Sequence, residues 1–200
     1  MKRNTLGRSI LVLGIATVSL AALPMVAGAS TATTTISSIV SQVVSLSTSG
    51  TVNINTTPTG SGVQTIASDT VSVSTNDTAG YVLKLGETGA TTTLTAGGNT
   101  IPASSGTQSS PVAMASNTWG YRVDSIGGFG AGPTTSASNS AISGSITFAG
   151  VAASGSPNTI KTTATTASGD TTTVWYGVAT TTAQAAGTYT NSVTYTALGN

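Results

Sequence analysis

Apolar residues follow two different rules along this chain. From Ile10 to Leu23 they run almost without a break, relieved only by Gly14, Thr17 and Ser19. Beyond Ser30 they alternate with serine and threonine. The first stretch follows Lys2, Arg3 and Arg8, ends at Pro24, and is followed by Ala27-Gly28-Ala29. A basic start, a short apolar core and a small-x-small site are the parts of a secretory signal peptide. The core is shorter than the ~20 residues a spanning helix needs. Residues 1–29 are therefore expected to be a cleaved leader, with no membrane insertion of the mature chain.

Between Ser30 and Thr48 the apolar positions are Ile36, Ile39, Val40, Val43, Val44 and Leu46. Their spacing fits one face of a helix, whereas the β-branched side chains and many serines disfavour one. Residues 30–48 thus read as an N-terminal segment that is either a helix or a docking strand. Thr51-Val52-Asn53-Ile54-Asn55 alternates as a strand does. Val71 and Val73, the turn residues Asn76-Asp77-Thr78-Ala79-Gly80, then Tyr81, Leu83 and Leu85 read as a β-hairpin. Trp119, Tyr121 and Val123 share one face of a strand, with Arg122 and Asp124 on the other. Ile146, Phe148 and Ile160 mark further short strands. Val174, Tyr176 and Val178 point inward from one C-terminal strand, and Tyr189, Val193 and Tyr195 from the last. Many short strands between Gly- and Ser-rich turns predict an all-β fold. Residues 49–200 are expected to form one antiparallel Greek-key β-sandwich, Ig-like or jelly-roll-like.

Composition supports strands over a disordered stalk, because the abundant threonines alternate with Val, Ile, Leu and Tyr and fit a pleated surface. Cysteine is absent, so stability rests on burial and strand pairing. The reported net charge of +1 owes its sign to the leader. Beyond it Lys84, Arg122 and Lys161 face five carboxylates, a balance of about −2. With no basic stripe to neutralise phosphates, nucleic-acid binding is excluded.

The chain has no histidine and no cysteine. Histidine triads, thiol nucleophiles and the usual zinc and copper sites are out of reach. Neither Lys84 nor Lys161 sits in a Ser-x-x-Lys context, and Asp69, Asp77, Glu87, Asp124 and Asp170 are scattered. No enzyme activity and no cofactor is expected. Asn76-Asp77 suits a turn better than a calcium site. A cross-link from Lys84 or Lys161 to Asn191 is a conceivable adhesin-like feature, with solvated lysines the plainer reading. The aromatic residues are what is left for contact with a ligand. Trp119 and Trp175 either pack in a core or stack on sugar rings.

Ala79-Gly80-Tyr81-Val82-Leu83-Lys84-Leu85 and the stretch from Ala186 to Ala197, with its Gly187-Thr188-Tyr189, resemble the two signature strands of WxL domains. These are secreted bacterial modules that hold noncovalently to the cell wall. Tyr81-Val82-Leu83 and Tyr195-Thr196-Ala197 stand where that family has Trp-x-Leu. The last strand is similarly close to spore-coat-U and fimbrial-type sandwiches. The resemblance implies a cell-surface address and a partner that is a wall polymer or glycan, with Tyr81, Leu83 and Tyr195 as candidate contacts, to which the reading of the aromatic residues adds Trp119 and Trp175. The fimbrial likeness implies copies of the same chain as partner. In that arrangement the segment Thr31–Asn55 completes a neighbour's sheet by strand addition. A glycan-binding adhesin is a third expectation.

The leader reading makes one prediction. Ala27 and Ala29 suit the peptidase pocket, so N-terminal sequencing of exported protein should begin at Ser30. A start far from Ser30, or an uncleaved leader, contradicts it.

Overall fold

A computed structural model describes residues 28–200, and the leader residues through Ala27 lie outside them. The chain divides into two units, Met1–Ile39 and Val40–Asn200. In the first, Gly28–Ile39 has neither helix nor strand, and every residue of it is exposed. The second is all-β. Its strands are β1 (Val44–Ser47), β2 (Val63–Thr75), β3 (Tyr81–Glu87), β4 (Leu94–Ala96), β5 (Asn99–Ile101) and β6 (Val112–Ala113). They continue with β7 (Thr118–Arg122), β8 (Ala137–Ser140), β9 (Thr147–Phe148), β10 (Asn158–Thr162), β11 (Ala167–Thr180) and β12 (Val193–Gly199).

Two antiparallel sheets carry the fold. One runs in the order β1-β2-β11-β7, with β8 also on β2, and the other in the order β10-β3-β12. Spatial neighbours are rarely sequence neighbours, as a Greek-key path requires. The long pair β2–β11 keeps its register from Asp170↔Val73 to Thr180↔Val63. Alternation then sends Val71, Val73, Val174, Tyr176 and Val178 to one face, where Trp119, Tyr121 and Val123 join them. Tyr81, Leu83, Leu85 and Ile160 meet them from the second sheet. The opposite face of the first sheet carries a smaller cluster of Ile66, Trp175 and Ala179 beneath Met114 and Phe148. Gly177 belongs to that face. A Cβ there would lie 2.8 Å from both Met114 and the Phe148 ring, so this position admits no side chain unless the cluster moves.

The hairpin read from local pattern is assembled differently. β2 and β3 do not form a hairpin. Asn76–Gly80 is a corner that carries the chain from one sheet to the other. Gly80 makes the corner at φ +87, against the Thr163 carbonyl, a conformation costly for any residue with a Cβ. β11 and β12 likewise belong to different sheets, and the Tyr176 and Tyr195 hydroxyls meet across the core at 2.7 Å. The physical reason is shared. Val71–Thr75, Tyr81–Leu85 and β12 are each buried on alternate positions, and faces of that kind are covered more completely when opposed than when side by side.

The N-terminal segment contains no helix; only Val44–Ser47 is ordered into a strand, paired with Ser72–Thr75. Thr51–Asn55 alternates as expected, Val52 and Ile54 half-buried and their neighbours exposed, yet it pairs with no strand.

Arg122 is wholly buried on the outer face of β7. Its guanidinium bonds Asp124 and the carbonyls of Thr147, Phe129 and Gly130, and lies 5.7 Å from the Phe129 ring centre. The glycine-rich loop after β7 is thereby pinned, although its composition alone suggests a free surface loop.

On β12, Val193, Tyr195 and Ala197 turn inward while Thr194 and Thr196 face out. Tyr195→Asp should destabilise the domain by several kcal/mol, since it places a carboxylate among apolar neighbours, and Thr194→Asp by well under 1 kcal/mol. Thermal melts of the two variants check this; equal melting temperatures contradict the assignment of faces.

Candidate functional site

The sandwich is not closed along one edge. After β1 the chain continues as an extended arm, and between this arm and the C-terminal segment lies a groove of about 1010 Å³. Leu46–Thr56 forms one rim and Gly187–Tyr195 the other. Leu94, Ile101, Trp119, Tyr176 and Val178 give it an apolar floor. Among the described residues, Thr51–Ile54 makes no backbone-to-backbone hydrogen bond. β12 is the last strand of its sheet, so its outer edge is also unpaired by any strand. On the second rim Thr190 exchanges backbone hydrogen bonds with Thr95, and Ser192 accepts from the Thr88 amide, so the unpaired backbone is concentrated on the arm.

The near end of the arm is held by polar side chains. Asp69, 5% exposed, accepts hydrogen bonds from the Ser49 amide (3.0 Å) and from the Ser49 hydroxyl. Asn76 accepts from the Val43 amide at 2.8 Å and donates to the Ser41 carbonyl at 2.9 Å. Thr75 donates to the Val43 carbonyl, and the Gln42 amide donates to Asp77. Asp77 also accepts from the Ala79 amide, so the turn chemistry of Asn76–Gly80 serves the corner and the arm together.

The candidate contact residues fall mostly inside. Tyr81 and Leu83 are fully buried, Trp119 is 4% and Trp175 6% exposed. Tyr81, Leu83 and Trp119 belong to the main core cluster and Trp175 to the smaller one. Trp119 donates its indole N–H to the Thr92 carbonyl, and the Tyr81 hydroxyl donates to Asp170. Trp119 lines the floor of the groove, and Tyr195 is half-buried at its rim. Burial, then the neighbouring Tyr176, pushes its phenol far above the ordinary range. Lys161 bonds Asp170 at 2.6 Å and holds that carboxyl below its usual range, while Asn191 donates to Thr91 and Thr93. Lys161 and Asn191 are thus engaged separately.

Two carboxylates matter more than the pattern of aromatics suggested. Asp69 stands in phase with Val71 and Val73 on β2, and Glu87 in phase with Tyr81, Leu83 and Leu85 on β3. A charge falling on the apolar parity of a strand is the signal that marks such residues in a sequence. Glu87 is 1% exposed and neither of its oxygens has a hydrogen-bond partner. Burial pushes its carboxyl up to about 7.

Comparison with protein-family models, with curated proteins and with solved structures gives no match.

Glu87 generates a pH prediction. The folded state binds its proton more tightly than the unfolded chain, so this group's contribution to stability is greatest below pH 4.5 and falls as pH rises toward 7. Melting temperatures measured from pH 4 to 8 should show that decline in the parent and lose it in Glu87→Gln. Identical profiles contradict it.

Proposed function

We propose that this chain is an exported, non-catalytic surface protein that acts by joining further copies of itself into an extracellular filament. One observation carries the reading. Ile36, Ile39, Val40 and Val43 are 91%, 92%, 82% and 60% exposed, a run of large apolar side chains just ahead of a folded domain. Burying each on a partner is worth roughly 1.5–3 kcal/mol before ordering costs. A segment so placed is better explained by association than by folding, since the core is complete without it. Charge does not oppose self-association, because the residues after the leader carry only three basic side chains and five carboxylates.

Wall or glycan contact through aromatic rings is supported less well, because four of the five candidate residues lie in the core. The absence of histidine and cysteine from the sequence supports a non-catalytic role.

Deleting residues 30–40 tests the proposal. The parent, beginning at Ser30, should form concentration-dependent oligomers in sedimentation velocity and filaments by negative-stain electron microscopy. The deletion should melt as the parent does and remain monomeric. A parent that is monomeric at every concentration, or a deletion that assembles as well as the parent, overturns the reading. Monomer that co-sediments with isolated cell walls would favour wall association instead.

A further inference from the structure

We propose that the groove between the arm and the C-terminal segment binds a small organic cation, an ammonium group carried on an apolar body, with Asp69 as its counter-charge. Every group the site needs lies within one copy of the chain, so binding does not depend on self-association.

Among the described residues, Asp69 is the one charged side chain lining the groove. It is 5% exposed and stands on β2 in phase with Val71 and Val73, whose side chains pack in the core. A carboxylate withdrawn from water is costly unless a cation and hydrogen bonds compensate it. The folded domain has no cation to spare for this one. Arg122 bonds Asp124 and Lys161 bonds Asp170. Lys84 stands on the opposite parity of β3 from Leu83 and Leu85, and no basic side chain lines the groove.

The carboxylate also keeps room for a further donor. It offers about four acceptor sites, and the Ser49 amide and hydroxyl both bond Oδ1. The Tyr195 hydroxyl adjoins the same carboxylate and lies 2.7 Å from that of Tyr176. An ammonium group seated there would donate to Asp69 and to a tyrosine oxygen, and such charge-assisted bonds are stronger than neutral ones.

The rest of the groove suits an apolar body. Leu94, Ile101, Trp119 and Val178 form its floor, and its volume of about 1010 Å³ accommodates a small molecule. An anion would be repelled by Asp69, and a neutral ligand would leave its charge unmatched. The arm provides the way in: Thr51–Ile54 makes no backbone-to-backbone hydrogen bond, so it parts from the opposite rim without breaking a strand ladder.

Phenethylamine is the probe, with phenethyl alcohol as a neutral and hydrocinnamate as an anionic counterpart of similar size. Titrated at neutral pH into the protein beginning at Ser30 and followed by calorimetry, the amine should bind saturably. Its affinity should exceed that of the alcohol about tenfold, with hydrocinnamate weaker still. Asp69→Asn keeps an oxygen for Ser49; it should hold the alcohol's affinity and bring the amine down to it, with a thermal melt confirming that the variant folds. Leu94→Trp fills part of the half-buried floor and should weaken amine and alcohol alike by about tenfold. Equal affinity for amine and alcohol in the parent, or an amine preference that survives Asp69→Asn, overturns the role of Asp69. Undiminished amine binding by Leu94→Trp overturns the groove as the site. An amine that does not bind saturably overturns the whole proposal and leaves self-association untouched. Should Asp69→Asn fail to fold, the parent's selectivity and Leu94→Trp still decide.

Discussion

The antiparallel pairing of β2 with β11 is the constraint on which the remaining structure depends. Both strands are long, and their register is continuous from Val63↔Thr180 to Val73↔Asp170. Side-chain parity is set along the whole pair at once, and a slip of one residue would exchange the two faces. With the register kept, Val71, Val73, Val174, Tyr176 and Val178 meet the second sheet, and Ile66, Trp175 and Ala179 meet Met114 and Phe148. β7 then pairs along β11, while β1 and β8 divide the far edge of β2 between them. That division leaves the middle of the edge without a strand, and Asp69 holds Ser49 there by side-chain contacts instead.

Polar groups inside this sandwich are few and unequal in what they do. Arg122 repays its burial with hydrogen bonds to three carbonyls and a carboxylate, and so anchors a loop that has little other reason to be ordered. Tyr176 and Tyr195 satisfy one another between the sheets. Glu87 has no such compensation: burial without a hydrogen-bond partner favours its protonated form. Its place on the apolar parity of β3 lets solvent pH act on the interior of the fold.

The open edge connects this architecture to the proposed role. A closed sandwich would pair or cover its edges. Here the arm lies beside the groove, packs Val52 and Ile54 against the core, and leaves its backbone unsatisfied by other strands. Ahead of it stands a β-branched, uncharged segment with its large side chains in water.

The sequence by itself determined the strand parities. Alternation placed Val71, Val73, Leu83, Leu85, Val174 and Tyr176 on inward faces and identified an all-β fold, because a period of two is a local property of the pleat. It did not decide which strands are partners. Val73 and Tyr81 are joined by an ideal-looking turn, yet they stand in opposite sheets, since opposing two one-sided apolar faces buries more than pairing them edge to edge. Nor did it decide which aromatic residues reach solvent. Tyr81, Trp119 and Trp175 lie on strands whose parity allows either a core or a surface, and only the packing of sheet on sheet, and of Phe148 and Met114 on β11, buried them. The groove was illegible for the same reason: it belongs to the gap between residues 46–56 and 187–195, which are brought together by tertiary structure alone.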